Sequence, residues 1–331
     1  MAKDIIPPHP HDLLPTTPPA AAESRAWAPP GFAWIDIRKA FTTPPVDLDY
    51  VLPGLLAGSV GAIIAAGAVG KSMMSIQTCS TLAGGPDTLG LCDWQPGWTP
   101  QIGRVVYLSA EDPTVVMNTR LYAMGHVRTP DGRNMMTDEH MDKLATNLCI
   151  APLVGKMTDL MSPDWQSWIL QVTQGARLVV IDTLRRFHRL DENDGGAMAG
   201  LLAFMEMVCL ENGCSILFLH HTNKAGGSEQ QASRGSSVLT DNVRYQANLV
   251  TMTPEEAVSA NVLPELRRMF VKIGFPKVNY TAPMPSQWMQ RTTGGILAPA
   301  THLMHLKEKH AVAEKQEARK DKRKGVARGQ M

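Results

Sequence analysis

Residues 60–72 constrain this chain more than any other stretch. Val60–Ala65 (VGAIIA) is a short apolar run of the kind that forms a buried strand, and a turn of small residues follows it. Lys71-Ser72 then heads a segment, Lys71–Leu82, with the pattern of a helix. Residues 65–72 read AAGAVGKS. The phosphate-binding loop pattern is G-x-x-x-x-G-K-[ST]. Gly70, Lys71 and Ser72 match it, while Ala65 stands at the first glycine position and Gly67 is expected to give the turn its freedom. Backbone N–H groups of such a turn at a helix N-terminus attract phosphate. This assigns Gly67, Ala68, Val69, Gly70, Lys71, Ser72 and Met73 to a nucleotide site. Lys71 would reach the β- and γ-phosphates of ATP, and the Ser72 hydroxyl would hold Mg²⁺. A plain Gly-Ala turn between strand and helix needs neither the lysine nor the serine.

Strands and helices keep alternating downstream. Residues 104–109, 148–152, 177–182 and 215–220 read as strands, and 114–125, 163–173 and 197–210 as helices. Alternation of this kind predicts an α/β fold with a largely parallel sheet covered on both faces. Residues 245–252 and 269–275 read as antiparallel strands extending that sheet, and 34–43 as a short helix stopped by Pro44-Pro45.

A phosphate loop needs a carboxylate for its metal, and Asp182 closes the apolar strand LVVID as a Walker B acid would. Hydrolysis also needs a group to deprotonate or orient water. The strand 104–109, expected beside the phosphate loop, is followed by Glu111 and Asp112, and either carboxylate qualifies. His220-His221 ends the strand after Asp182. Adjacent strand residues point to opposite faces, so a shared metal ion is disfavoured and a γ-phosphate sensor at the strand tip is the better reading.

Charge is spread unevenly. The net charge is +1, from 32 Lys+Arg and 31 Asp+Glu, which excludes a uniformly basic nucleic-acid-coating protein and an acidic disordered chain. Residues 301–331 carry +5 and the remaining 300 residues −4. Eleven of the 24 prolines lie in residues 1–53, and residues 1–30 are too poor in apolar surface to fold alone. The five cysteines are odd in number and form no CxxC pair, which fits reduced thiols in a cytoplasmic protein. The uncharged residues 54–70 are at the short limit for a membrane span and hold five glycines, so no membrane association is expected.

The order of the phosphate loop, YLSAEDP (107–113), LVVIDTLRRFH (178–188), ILFLHHTNK (216–224) and SRGSSVLTDNVRYQ (233–246) resembles the RepA replicative helicases of IncQ-type mobilisable plasmids. LDYVLP (48–53), QQASRGSSVL (230–239) and the stretch 294–299 extend the resemblance from about Trp34 to the end. It implies a RecA-like core, distantly similar to DnaB, that assembles as a homo-hexameric ring. It implies Glu111 as the catalytic glutamate, Asp182 as the Walker B acid and His221 as the γ-phosphate sensor. Arg244 would be an arginine finger given in trans, with Arg234 as the competing position, and Arg120 would assist nucleotide binding. Loops after the Walker B and sensor strands would face a channel for single-stranded DNA. Arg185, Arg186 and Arg189 lie in the first, and Lys224 and Arg234 in the second. Ion pairing at a subunit contact is an equal reading of Arg185 and Arg186.

The domain organisation expected is a disordered arm over 1–33, a lead-in or subunit-contact segment over 34–56, an ATPase core over 57–300 and a basic tail over 301–331. The expected activity is ATP-dependent DNA unwinding, 5′ to 3′ by family analogy, in plasmid replication. No DnaB-type primase-interacting domain is visible, so a plasmid initiator or primase partner would supply priming. The rivals are a DNA-binding ATP switch without unwinding, such as a recombinase-like or accessory factor, and a kinase built on the same loop.

Overall fold

The computed structural model describes residues 34–221 and 237–303. The chain divides into two units, Met1–Asp47 and Leu48–Met331. In the first, the described residues form the short helix α1 (Ile37–Thr42). Asp36 caps it by accepting a hydrogen bond from the Lys39 backbone N–H at 3.0 Å, and Pro44-Pro45 follows its end.

The second unit begins with a tight hairpin, β1 (Tyr50–Leu52) and β2 (Leu55–Leu56). Gly54 turns it at φ 83°, where a Cβ would come within 2.8 Å of Val278. β3 (Val60–Ala65) and α2 (Lys71–Leu82) come next, then β4 (Arg104–Ser109), α3 (Thr114–Gly125), α4 (Asp138–Asn147) and β5 (Leu148–Pro152). The chain continues through α5 (Pro163–Val172), β6 (Ala176–Asp182), α6 (Gly195–Asn212), β7 (Ser215–His221), α7 (Ser237–Asn242) and β8 (Tyr245–Thr251). It closes with α8 (Pro254–Ser259), β9 (Phe270–Val278), β10 (Gln287–Arg291) and β11 (Leu297–Pro299).

β3 to β11 form one nine-stranded sheet in the order β11-β10-β9-β8-β3-β7-β6-β4-β5. β8, β3, β7, β6, β4 and β5 run parallel, and β9, β10 and β11 extend the sheet antiparallel. Strands buried on both faces read as continuous apolar runs, and β3 is buried at every residue. Side chains still alternate. On β6, Leu178 and Val180 pack with α2 residues such as Ile76 and Leu82, while Val179 and Ile181 pack with Leu201, Met205 and Val208 of α6.

Two strand placements differ from the sequence reading. β8 pairs parallel with β3, so it belongs to the parallel set and the antiparallel run starts only at β9. Nor is β4 the neighbour of β3, because β7 and β6 lie between them. Both differences concern which strand each one finds, which is a long-range matter that local pattern does not encode. α6 runs from 195 to 212, longer than the amphipathic stretch suggested, since Asp194 accepts from the Gly196 and Ala197 N–H groups and starts it earlier. α4 and the β10–β11 hairpin had no counterpart in the sequence reading. Among the described residues no helix is long and apolar enough to cross a membrane, and residues 54–70 divide between the first hairpin, β3 and the phosphate loop.

Candidate active site

The loop between β3 and α2 makes its turn at Ala68 (φ 62°) and Gly70 (φ 108°). The left-handed positions are therefore not at Gly67, which is exposed and has open space around it. At Gly70 a side chain would be strained whatever the room available. α2 starts at the next residue, so its first N–H groups face the loop.

Lys71 is only 5% exposed. Its ammonium donates to the carbonyls of Ala65 (2.9 Å) and Ala66 (3.1 Å) and lies 3.1 Å from His221 Nδ1. Burial pulls Lys71 down to about 8, against the opposing pull of the Asp182 and Glu111 carboxylates. An ammonium has donors only, so toward a charged Lys71 the Nδ1 of His221 accepts and the ring proton sits on Nε2. That Nε2 is 3.6 Å from Glu111 Oε1. The same carboxylate oxygen accepts from Thr183 Oγ1 at 2.9 Å. Lys71, His221, Glu111 and Thr183 thus form one connected line from the phosphate loop to the tip of β4.

The register explains how these residues meet. Ala65 lies beside His221 in the β3–β7 pair, and Ser109 beside Asp182 in the β4–β6 pair. Every motif sits at the C-terminal end of its parallel strand, where ligands bind in such sheets. His220 points away from this line, and burial holds it down at about 4. Among the described residues no group of three His, Cys, Asp or Glu is placed to hold a metal by itself.

Asp182 is fully buried. Its Oδ2 accepts from the Tyr107 hydroxyl at 2.5 Å, and its Oδ1 has no hydrogen-bond partner among the described residues. Burial pushes Asp182 up, and the Tyr107 and Ser72 hydroxyls pull it back down. A buried carboxylate oxygen left unpaired costs free energy. Beside Ser72 at the head of α2, a hydrated cation would satisfy it, so the residues present fit Mg²⁺.

These groups open onto one cavity of about 340 Å³. Residues 68–73 line it, together with Glu111, Asp112, Arg120, Thr183 and His221. Asp112 is ion-paired to Arg120. Asp182 lies behind this lining. Arg291, Gly294 and Gly295 complete the cavity, and none of the three was anticipated. Arg291 donates from Nη2 to the Ala68 carbonyl at 2.9 Å, and burial lowers its pKa. Sequence offers no signal for it, since the sheet order alone brings β10 to the loop. Thr183 was also missed, although it directly follows the aspartate that ends β6.

Arg244 is not brought here. It precedes β8, and its neighbour Tyr245 pairs with Gly61 near the start of β3, the end away from the loop. Arg185 and Arg186 sit on a 3-10 turn after β6 and are exposed, as is Arg189. All three line a second cavity of about 590 Å³ that also takes in Lys156, Thr158 and His188. Arg185 lies 3.9 Å from Glu192, and Arg189 3.9 Å from Asp159. Lys224 and Arg234, with the basic tail, fall outside the described residues.

The sequence model of a family described as AAA domain matches residues 29–227, more than half of the chain. Solved structures similar to this one include two with a TM-score above 0.5. The first, an isolated ATPase domain, has a TM-score of 0.52 at 12% identity, over 80% of this chain and 95% of that one. The second, "The Structure Of A DnaB-Like Replicative Helicase And Its Interactions With Primase", has a TM-score of 0.52 at 12% identity, over 79% of this chain and 66% of that one. At this identity the likeness is one of fold: a RecA-like α/β core with a mostly parallel sheet and antiparallel strands on its C-terminal side.

Proposed function

The chain belongs to the AAA domain family, a RecA-like ATPase domain that binds ATP, and from that premise we propose that it is a ring-forming replicative DNA helicase of the plasmid RepA type. The observation that carries the reading is the line Lys71–His221–Glu111–Thr183 across a single cavity. It links the lysine of the phosphate loop to a carboxylate at the cavity, and this supports hydrolysis over binding alone.

In this reading Lys71 leaves the Ala65 and Ala66 carbonyls for the β- and γ-phosphates of ATP. Ser72 and Asp182 hold Mg²⁺, which supplies neutralisation of phosphate charge when bound. Glu111 takes the proton of the attacking water, Thr183 fixes its carboxylate, and His221 reports the γ-phosphate. Asp112 is the weaker candidate for base because Arg120 already occupies it. Arg120 and Arg291 flank the phosphates. Arg244 reaches the site of a neighbouring subunit, where a planar guanidinium stabilises the transferring phosphoryl group. The basic cavity after β6, with Arg185, Arg186 and Arg189, contacts single-stranded DNA phosphates without reading sequence. Lys224 and Arg234 would add to it. Residues 34–56 contact the next subunit, 57–300 form the motor and 301–331 a basic tail. The ring moves 5′ to 3′ during plasmid replication, with an initiator or primase as partner.

The test is unwinding of a forked duplex by the wild type and by Lys71→Ala. Strand separation lost in the variant supports the reading. DNA-stimulated ATP hydrolysis without strand separation in the wild type replaces it with an ATP-driven switch.

A further inference from the structure

Packing alone does not account for the hydroxyl of Tyr107. The residue lies on β4, on the sheet face that carries α2, and is fully buried. A phenylalanine would fill the same space. Buried tyrosines keep their hydroxyl where it finds a partner, and here the partner is Asp182 Oδ2 at 2.5 Å. The register makes the contact: Tyr107 pairs with Val180, and Asp182 is the next residue on that face of β6. One oxygen of the carboxylate is thereby held, and Oδ1, which makes no hydrogen bond of ordinary length among the described residues, is left on the site side, where the Ser72 hydroxyl lies close enough to lower the Asp182 pKa.

We propose that Tyr107 is a positioning residue for the metal of the nucleotide site: its hydroxyl fixes the rotation of the Asp182 carboxylate so that Oδ1 receives the hydrated cation held at Ser72. This inference rests on the ATP and Mg²⁺ reading above. Without the hydroxyl the carboxylate can rotate, and the oxygen meant for the cation is no longer pre-set. Partners of this kind, one shell behind a metal ligand, alter metal affinity by about 10–100-fold when removed.

The experiment measures binding of a fluorescent, non-hydrolysable ATP analogue to the full chain, in excess Mg²⁺ and in excess EDTA. The ratio of the two dissociation constants is the metal coupling. Tyr107→Phe should cut that coupling by about 10-fold and leave the EDTA constant unchanged. Tyr107→Met, which also lacks the hydroxyl, should show the same loss whatever its stability. Cys79→Ala loosens the same buried layer without touching the hydrogen bond, and should keep the wild-type coupling. Unchanged coupling in Tyr107→Phe overturns the proposal, as does an equal loss in Cys79→Ala, which would make the effect one of packing. A wild type that does not bind the analogue overturns the nucleotide reading itself. One that binds it equally with and without Mg²⁺ overturns the metal assignment, and this inference goes with it.

Discussion

Lys71 is held in place by contacts of its own chain. Its ammonium is shared among two backbone carbonyls and one imidazole, the partners it gives up for phosphate oxygens in the function proposed above. Replacing it with alanine should lower ATP turnover by about two to three orders of magnitude, the usual cost of removing one pre-set electrostatic contact. The adjacent carboxylates should separate cleanly. Glu111→Gln should reduce kcat by about 10²–10⁴ with nucleotide affinity retained, as for loss of a general base. Asp112→Asn should mainly release Arg120, and its kcat should fall far less. Steady-state kinetics with parallel binding titrations decides both. Local pattern left these two residues open and only the family resemblance favoured Glu111, because adjacency in a chain says nothing of which side chain meets a partner. Arg120 on α3 pairs with Asp112 and Thr183, just past β6, donates to Glu111, and both contacts exist only after the sheet is assembled.

At the scale of elements, the β10–β11 hairpin is tied to the phosphate loop through α2. Gln77 donates to the Leu297 carbonyl at 2.8 Å and accepts from the Leu297 N–H at 2.9 Å, so one buried side chain satisfies both backbone groups of the first residue of β11. That clamp sets Arg291 against Ala68. Gln77→Leu should cost about 1–3 kcal/mol for each backbone group left unpaired, read by urea denaturation, and should weaken nucleotide binding along with it. A second tie fastens the start of the β1–β2 hairpin. Arg177 of β6 makes a two-pronged bond to Asp49 at 2.6 and 2.8 Å. The Arg177 hydrogen bonds hold the Asp49 carboxyl below its ordinary 3.8, with burial opposing. A carboxylate with a depressed folded pKa contributes its stability fully above the unfolded value and loses it as pH falls through the folded one. A double-mutant cycle of Asp49→Asn and Arg177→Met should therefore show a coupling of about 0.5–1 kcal/mol at neutral pH. That coupling should vanish once the pH is well below 3.8. The helix α4 and this hairpin tie escaped the sequence reading for different reasons. α4 is short and mostly polar and buries no residue fully, and the Asp49–Arg177 pair joins residues far apart in the chain.

For the molecule as a whole, the position of Arg244 is informative. β3 is six residues long, and Arg244 stands at the end remote from the loop, about 20 Å away along the strand. From that end Arg244 does not reach this chain's own phosphate loop, so the finger role proposed for it requires a second subunit. Mixing Arg244→Ala with Lys71→Ala subunits tests this, since each variant alone disables every site of a ring. In a one-to-one mixture roughly a quarter of composite sites would pair an intact Lys71 with an intact Arg244, and ATPase activity should recover accordingly. No recovery in assembled mixed rings would reject the trans assignment, and a strict monomer by native mass with full unwinding would reject the ring.

The sequence by itself determined the strand–loop–helix that builds the phosphate site, the apolar strands and the carboxylate and histidine at their ends. Those features rest on local pattern: a run of β-branched residues, a glycine where φ is positive, a lysine and serine at a helix start. Only the tertiary structure decided which strand lies beside which, that β8 runs parallel to β3, and that β10 delivers Arg291 to a loop far upstream. It also decided that the Tyr107 hydroxyl finds Asp182. Hydrogen bonds between strands join backbones alike whatever their sequence, so neighbour and direction are settled by how the whole sheet buries its two faces, and no single segment carries that information.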